Sequence, residues 1–257
     1  MAKSSGATPL TAKLANFVAL AADELAALDD LLSTTRLVRH NREIIAQGRG
    51  YDSLLVLIQG IAIRYRVLRD GRRQILSVAL PGDMIGFPTS FFETALYSVT
   101  AVTDSVLAAI PFATLVSLIE QRPRLAAAIF WSFSSEAAIY AEHLVGIGRR
   151  SALERVAHFL LELLTRFQMI GLADERSYPM PLTQELLGDA LGLSVPYVNR
   201  TLRQLRDDDL ATIEEHRVII KDVEALSALA DFDPSYLTRF RMLESFADTD
   251  DAGTPTR

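Results

Sequence analysis

Apolar residues change their period several times along this chain. From Leu14 to Leu32 they recur at helical spacing among alanines, which predicts an amphipathic lead-in helix, while residues 1 to about 10 show no such pattern and are expected to be disordered. From Thr35 to Ile110 the period drops to two. Ile61, Ile63, Tyr65 and Val67 alternate with Ala62, Arg64, Arg66 and Leu68, and Asp70-Gly71 then supplies a hairpin turn before Gln74 to Leu80. Gly48, Gly60, Gly71, Gly82 and Gly86 fall near predicted strand ends, as expected of a small antiparallel β-barrel or jelly roll.

Helical spacing returns at Pro123. Ile129, Phe133, Tyr140, Leu144 and Ile147 make one stripe, and Phe130, Ala137 and Ala141 make an adjacent one. A helix with two apolar stripes buries both: one on its own β-domain and the other, taken here as the Ile129 to Ile147 stripe, against the same helix of a second subunit. Gly146-Ile-Gly148 is expected to break this helix and form a hinge. Ser151, with Glu154 three residues on, then opens a capping box for a helix through Leu164, and Tyr178-Pro-Met-Pro181 makes a rigid approach to the helices beyond it.

The most informative run is Thr183 to Arg206. Thr183 is a good N-cap, and Leu186, Leu187, Ala190 and Leu191 form one apolar face. Gly188 keeps a close crossing small, Gly192 takes the positive φ of a helix end, and Ser194 caps a second helix. In that helix Val198, Leu202 and Leu205 face inward, which turns Val195, Pro196, Asn199, Arg200 and Arg203 outward. Two short helices about a tight turn, the second with outward arginines, are a helix-turn-helix, and the implied partner is double-stranded DNA. Thr183, Gln184, Ser194, Val195, Pro196, Tyr197, Asn199, Arg200, Arg203 and, further on, Arg217 are the candidate DNA contacts, with Arg200 able to pair with guanine O6 and N7 and Arg203 and Arg206 suited to phosphates. Leu210 to Ile213, a turn at Glu214 to His216, and Arg217 to Ile220 read as a wing with Arg217 near its tip, closed by a helix from about Val223 to Leu229.

At 257 residues and 49% apolar content the chain supports two domains, divided as 12–122, 123–148 for the long helix, 149–232 for DNA binding, and a 233–257 tail. It has no cysteine, which excludes disulfides and cysteine-held iron–sulfur clusters. Neither a signal-peptide core nor an apolar stretch of the ~18 residues a span needs is visible, so a cytoplasmic protein with no membrane partner is expected. The net charge of −6 is no obstacle to DNA, because residues 194 to 206 carry three arginines and no acid, and Asp207 to Asp209 come directly after them.

Taken together, Glu43-Ile-Ile-Ala-Gln-Gly48, Leu54 to Gly60, Asp70 to Leu76, Pro81-Gly-Asp83, Leu191-Gly-Leu-Ser194 and Asn199-Arg-Thr-Leu202 closely resemble the Crp/Fnr family of bacterial transcription regulators, from about residue 15 to residue 230. The resemblance implies an α+β chain: an N-terminal antiparallel β-barrel or jelly roll of the cyclic-nucleotide-binding kind, a long dimerisation helix, and a C-terminal winged helix-turn-helix. It also implies a homodimer on a palindromic operator, in contact with RNA polymerase. Cyclic-AMP-binding members carry a glycine–glutamate pair after the Pro-Gly-Asp/Glu turn and an arginine–serine or arginine–threonine pair soon after. Here those places read Gly86-Phe87 and Thr94 to Ser98, with no arginine between Arg73 and Arg122, so cyclic AMP held in the usual manner is not expected. Ile85, Gly86, Phe87, Pro88, Tyr97 and Ser98 are the candidate lining of an effector pocket. Pro196 stands where many members place a glutamate, so the family's consensus half-site is not assumed.

Two alternatives stay open. The β-domain can serve as a protein-interaction scaffold tethered to DNA, or a histidine among His40, His143, His158 and His216 can ligate haem in a gas sensor. No metal site or resident cofactor is expected, and no residue set has the spacing of an enzyme's catalytic group.

Overall fold

The computed structural model describes residues 8–86 and 92–238. The N-terminal region is ordered earlier, and broken earlier, than its pattern predicts. Helix α1 (Pro9–Ala15) starts where Thr8 Oγ1 accepts the Thr11 N–H, and α2 (Ala22–Leu31) starts afresh where Glu24 reaches back to the Ala21 N–H at 2.8 Å. The break at residues 16–21 lets Leu10 and Leu14 of α1, Phe17 of the break itself, and Leu28 and the capping Leu32 of α2 enter the same apolar cluster.

Among the described residues eight strands come next: β1 (Thr35–Val38), β2 (Glu43–Ile45), β3 (Ser53–Gln59), β4 (Ala62–Val67), β5 (Arg73–Ala79), β6 (Met84–Ile85), β7 (Ser98–Ala101) and β8 (Ser105–Pro111). They form two four-stranded antiparallel sheets, β1-β8-β3-β6 and β2-β7-β4-β5. The domain is therefore a jelly-roll-like sandwich with open sheet edges rather than a closed barrel. The hairpin at Gly71 forms as expected, with φ at +86°.

The sandwich is covered on both outer faces as well as filled inside. Leu55, Leu57, Ala62, Ile85, Val99 and Leu107 meet in the interior. Outside the first sheet, Leu54, Val56, Met84 and Ile110 pack on α1, α2, α3 (Phe112–Gln121) and the start of α4 (Pro123–Arg149). Outside the second, Ile61, Ile63, Ile75 and Val78 join the core of the C-terminal domain. Double coverage leaves little room for polar alternation: Arg64, expected on a polar face, is only 3% exposed, and a bulge follows it.

The long helix runs unbroken through Gly146 and Gly148, contrary to the expected hinge there. The Arg150 N–H still bonds the Gly146 carbonyl, and Gly146 is buried beside Arg150 and Arg155. The chain changes direction one step later, at Arg150 (φ −78°, ψ 143°), where Ser151 and Glu154 form the expected capping box of α5 (Ala152–Met169). Beyond α5 lie β9 (Ser177–Pro179), α6 (Gln184–Leu191), α7 (Val195–Asp207), β10 (Ala211–Glu214), β11 (Arg217–Ile220), α8 (Val223–Ala230) and α9 (Ser235–Thr238). Pattern reading missed β9, which makes a three-stranded sheet by pairing with β11. It also assigned residues from 233 onward to a tail, yet Leu237 is 1% exposed.

Polar side chains bolt the C-terminal domain to the sandwich. Arg73 on β5 meets Asp189 on α6 at 2.6 Å, and Arg166 on α5 reaches both Asp83, at 3.0 Å, and the Val78 carbonyl, at 2.8 Å. Asp83 also takes Lys13 at 2.6 Å. Burial raises the Asp83 pKa, but Lys13 and Arg166 outweigh it and hold the carboxyl below its ordinary value. Glu162, wholly buried on α5, is met by His143 of α4 at 2.7 Å and by Arg166 at 3.2 Å.

Candidate nucleic-acid interface

The helix-turn-helix assembles from local chemistry. Thr183 Oγ1 accepts the Leu186 N–H and starts α6, and Gly192 ends it in the left-handed conformation (φ +64°). A Cβ on Gly188 would stand 2.6 Å from the Leu193 carbonyl oxygen, so the turn itself, more than the crossing helix, demands glycine. Ser194 occupies the N-cap position of α7, yet its hydroxyl makes no capping bond and is exposed. Pro196 lies in the first turn, where its missing N–H is no loss.

One face of α7 is inside: Val198 and Leu205 are fully buried and Thr201 nearly so, with Leu202 half-buried. The opposite face presents Val195, Pro196, Tyr197, Asn199, Arg200 and Arg203 to solvent, beside exposed Thr183 and Gln184. The Arg200 guanidinium lies 5.1 Å from the centre of the Tyr197 ring. At that distance the guanidinium is within cation–π reach of the ring, which limits its freedom on the exposed face. On the wing, Glu215 and His216 both have positive φ, as a two-residue hairpin turn requires. Arg217, the first residue after that turn, is held by Asp174 at 3.1 Å and Ser177 Oγ at 2.7 Å.

The candidate effector residues divide. Ile85 and Tyr97 are buried in the sandwich interior, Ser98 Oγ accepts the Gln47 N–H, and Gly86 accepts the Tyr51 hydroxyl through its carbonyl at 2.6 Å. Phe87 and Pro88 lie outside the described residues. A cleft of about 350 Å³ is lined by Tyr51 with Arg36, Ile45, Arg49 and Leu55. The residue that sequence reading missed is Arg64. Its guanidinium lies 4.7 Å from the Tyr97 ring centre, pairs with Glu136 of α4 at 2.5 Å and bonds the Tyr140 hydroxyl. Burial opposes its charge, but Glu136, Tyr140 and Tyr97 outweigh burial and raise its pKa.

The long helix sorts its two stripes differently from expectation. Ile129 is 5% exposed within its own subunit, Phe133 packs partly against the same cluster, and Tyr140 is tied to Arg64. Phe130 (73% exposed), Ser134, Ala137, Ala141 and Leu144 (72% exposed) face outward at alternating three- and four-residue spacing, flanked by exposed Ile147.

His143 is engaged by Glu162, and His158 is buried in a cluster with the rings of Phe232 and Tyr236. Among the described residues no three His, Asp or Glu side chains are grouped to hold a metal ion, and no helix is long and apolar enough to cross a membrane.

Comparison with known proteins agrees with this geometry. Residues 35–122 match the cyclic nucleotide-binding domain family and residues 154–229 the Crp-like helix-turn-helix domain family. The chain is 31% identical over 200 residues to the nitrogen fixation regulation protein FixK of Azorhizobium caulinodans, covering 77% of this chain and 79% of that protein. It is 34% identical over 206 residues to the protein of the same name in Rhizobium meliloti, covering 77% of this chain and 89% of that one. Among solved structures, FixK2 from Bradyrhizobium japonicum superposes with a TM-score of 0.69 at 26% identity, over 76% of this chain and 96% of that one.

Proposed function

The chain belongs to the Crp/Fnr family of DNA-binding transcription regulators, and from that premise we propose that it acts as a homodimer on a palindromic operator, answering an effector other than cyclic AMP held in the usual manner. The observation that carries this reading is the exposed face of α7, where Arg200 lies over the Tyr197 ring and no acid occurs before Asp207 at the helix end. Arg200 reads a guanine, and Asn199 pairs with adenine or a phosphate. Val195, Pro196 and Tyr197 give apolar contact to the groove, while Thr183, Gln184, Ser194 and Arg203 meet the backbone. Arg217 steadies the wing against Asp174 rather than reaching out with an unengaged charge.

The dimer seam is the outward stripe of Phe130, Ala137, Ala141 and Leu144, extended by Ile147. Two such helices side by side place recognition helices on half-sites about 34–36 Å apart. For the effector, the interior arginine is Arg64, and its charge is already met by Glu136. A cyclic phosphate would have to displace that carboxylate, which burial makes unfavourable. Bound to its operator, the dimer would act by touching or blocking RNA polymerase.

Retardation of operator DNA tests the reading. Arg200→Ala loses about 1–3 kcal/mol on the cognate site and relaxes preference at one base pair per half-site, whereas Arg203→Ala weakens cognate and random DNA alike and flattens the salt dependence. Equal effects from the two substitutions would mean that α7 presents another face to the groove. Titration calorimetry with cyclic AMP is expected to show no saturable binding at micromolar concentration; a micromolar Kd would overturn the effector reading.

A further inference from the structure

The helix-turn-helix family match ends at residue 229, but the folded chain does not. Asp231 turns it back in the left-handed conformation (φ +48°), the Phe232 N–H bonds the Ser227 carbonyl, and Asp233 Oδ1 accepts the Ser235 N–H to begin α9. The returning segment passes over α5 and lands on α4. Phe232 meets His158 edge-on at 5.0 Å, Tyr236 packs against both that histidine, with planes 10° apart, and the Phe232 ring, and Leu237, 1% exposed, lines a cavity with Phe133, Glu136 and Ile139 of α4 and Arg166 of α5. The Tyr236 hydroxyl is buried with no hydrogen-bond partner, so it is the ring, not the oxygen, that does the holding.

We propose that residues 231–238 are a strap that fixes the orientation of the winged-helix domain relative to α4, with Tyr236 and Leu237 as its positioning residues. The strap begins on the DNA-binding domain, at the end of α8, and its apolar side chains finish on the long helix, so rotation of the domain about Arg150 and Ser151 must first pull the buried Leu237 away from α4. The docked domain keeps the outward face of α7 exposed, so the strap fixes a presentation and does not mask it. Its consequence for spacing rests on the dimeric reading above; its mechanical role does not.

The test compares the full chain with Leu237→Asp and Tyr236→Phe. In Leu237→Asp, amide hydrogen exchange at residues 132–139 of α4 and 166–170 of α5 should rise by about tenfold or more. Binding to a single half-site should stay within about twofold, while affinity for the palindrome falls by about tenfold or more, with weaker preference for the natural spacing over one altered by a few base pairs. Tyr236→Phe should match the parent in every readout. Unchanged exchange and unchanged spacing preference in Leu237→Asp would overturn the proposal, and so would a Tyr236→Phe loss as large as that of Leu237→Asp. Should Leu237→Asp fail to melt cooperatively, Leu237→Ala is read in the same way, with the same two overturning results. If the parent retards no DNA, the operator reading fails, while the exchange result still decides the strap.

Discussion

Arg64 shows how one side chain can be read correctly as charged and wrongly as surface. A guanidinium 3% exposed is tolerable only because Glu136, Tyr140 and Tyr97 surround it. Arg64→Met should therefore lower thermal stability by about 3–5 kcal/mol, because it strands Glu136, and adding Glu136→Leu should recover most of that loss. Chemical denaturation of the single and double variants checks it; equal stability of the two would mean the pair is not coupled. His158 gives a pH signature. Burial first, then the nearby Arg150 charge, brings its pKa down to about 4, so the native state refuses a proton that the unfolded chain accepts near pH 6.5. Its contribution is full above pH 6.5 and is lost as the pH falls towards 4. His143 has the opposite sign: burial lowers its pKa, but Glu162 outweighs burial and raises it, so its contribution is full below pH 6.5 and fades as the pH climbs. Melting temperatures between pH 6.5 and 4.5 should fall in the parent and fall less steeply in His158→Leu. Gly188 and Gly192 were legible from sequence because backbone geometry alone demands them. Arg64 was not, because the period of a strand cannot tell solvent from a second packed layer.

At the scale of elements, the same blindness explains α4. Two apolar stripes were evident, and so was the need to bury both. Which stripe meets the sandwich depends on where α3 delivers the chain, and that is tertiary information. The assignment has a sharp consequence. Ala137→Asp, on the outward stripe, should leave the fold intact and shift the protein towards monomer in light scattering, because like charges would face each other across the proposed seam. Ile129→Asp should instead unfold the N-terminal domain, costing on the order of several kcal/mol for a charge buried without a partner. A monomeric, folded Ile129→Asp variant would restore the stripe first expected from sequence. Capping chemistry made the start of α5 and both ends of α6 legible to the residue, whereas α5 runs on to Met169, past the expected end at Leu164. β9 escaped because a three-residue edge strand holding a proline carries almost no pattern.

Over the whole molecule, the two domains share a core and a set of ion pairs, with Asp83 held from both sides by Lys13 and Arg166. Asp83→Ala removes the anion on which two cations converge, one from α1 and one from α5. Calorimetry should then show the single melting transition splitting or broadening as the domains lose their coupling. A sharp, unshifted transition would place the coupling in the apolar contact alone. Sequence showed both domains and their order, but not that they would be bolted together, since Arg166 stands 83 positions from Asp83 and Arg73 116 from Asp189, as isolated charges in unrelated segments. The unbroken course of α4 has one more effect. At 27 residues it is a rod about 40 Å long, and without a joint at Gly146 it transmits angle as well as force. A tilt of about 5° where the sandwich grips one end swings the other by about 3.5 Å, close to the 3.4 Å rise of one base pair along a DNA strand. The rod is in effect a lever arm graduated in base pairs.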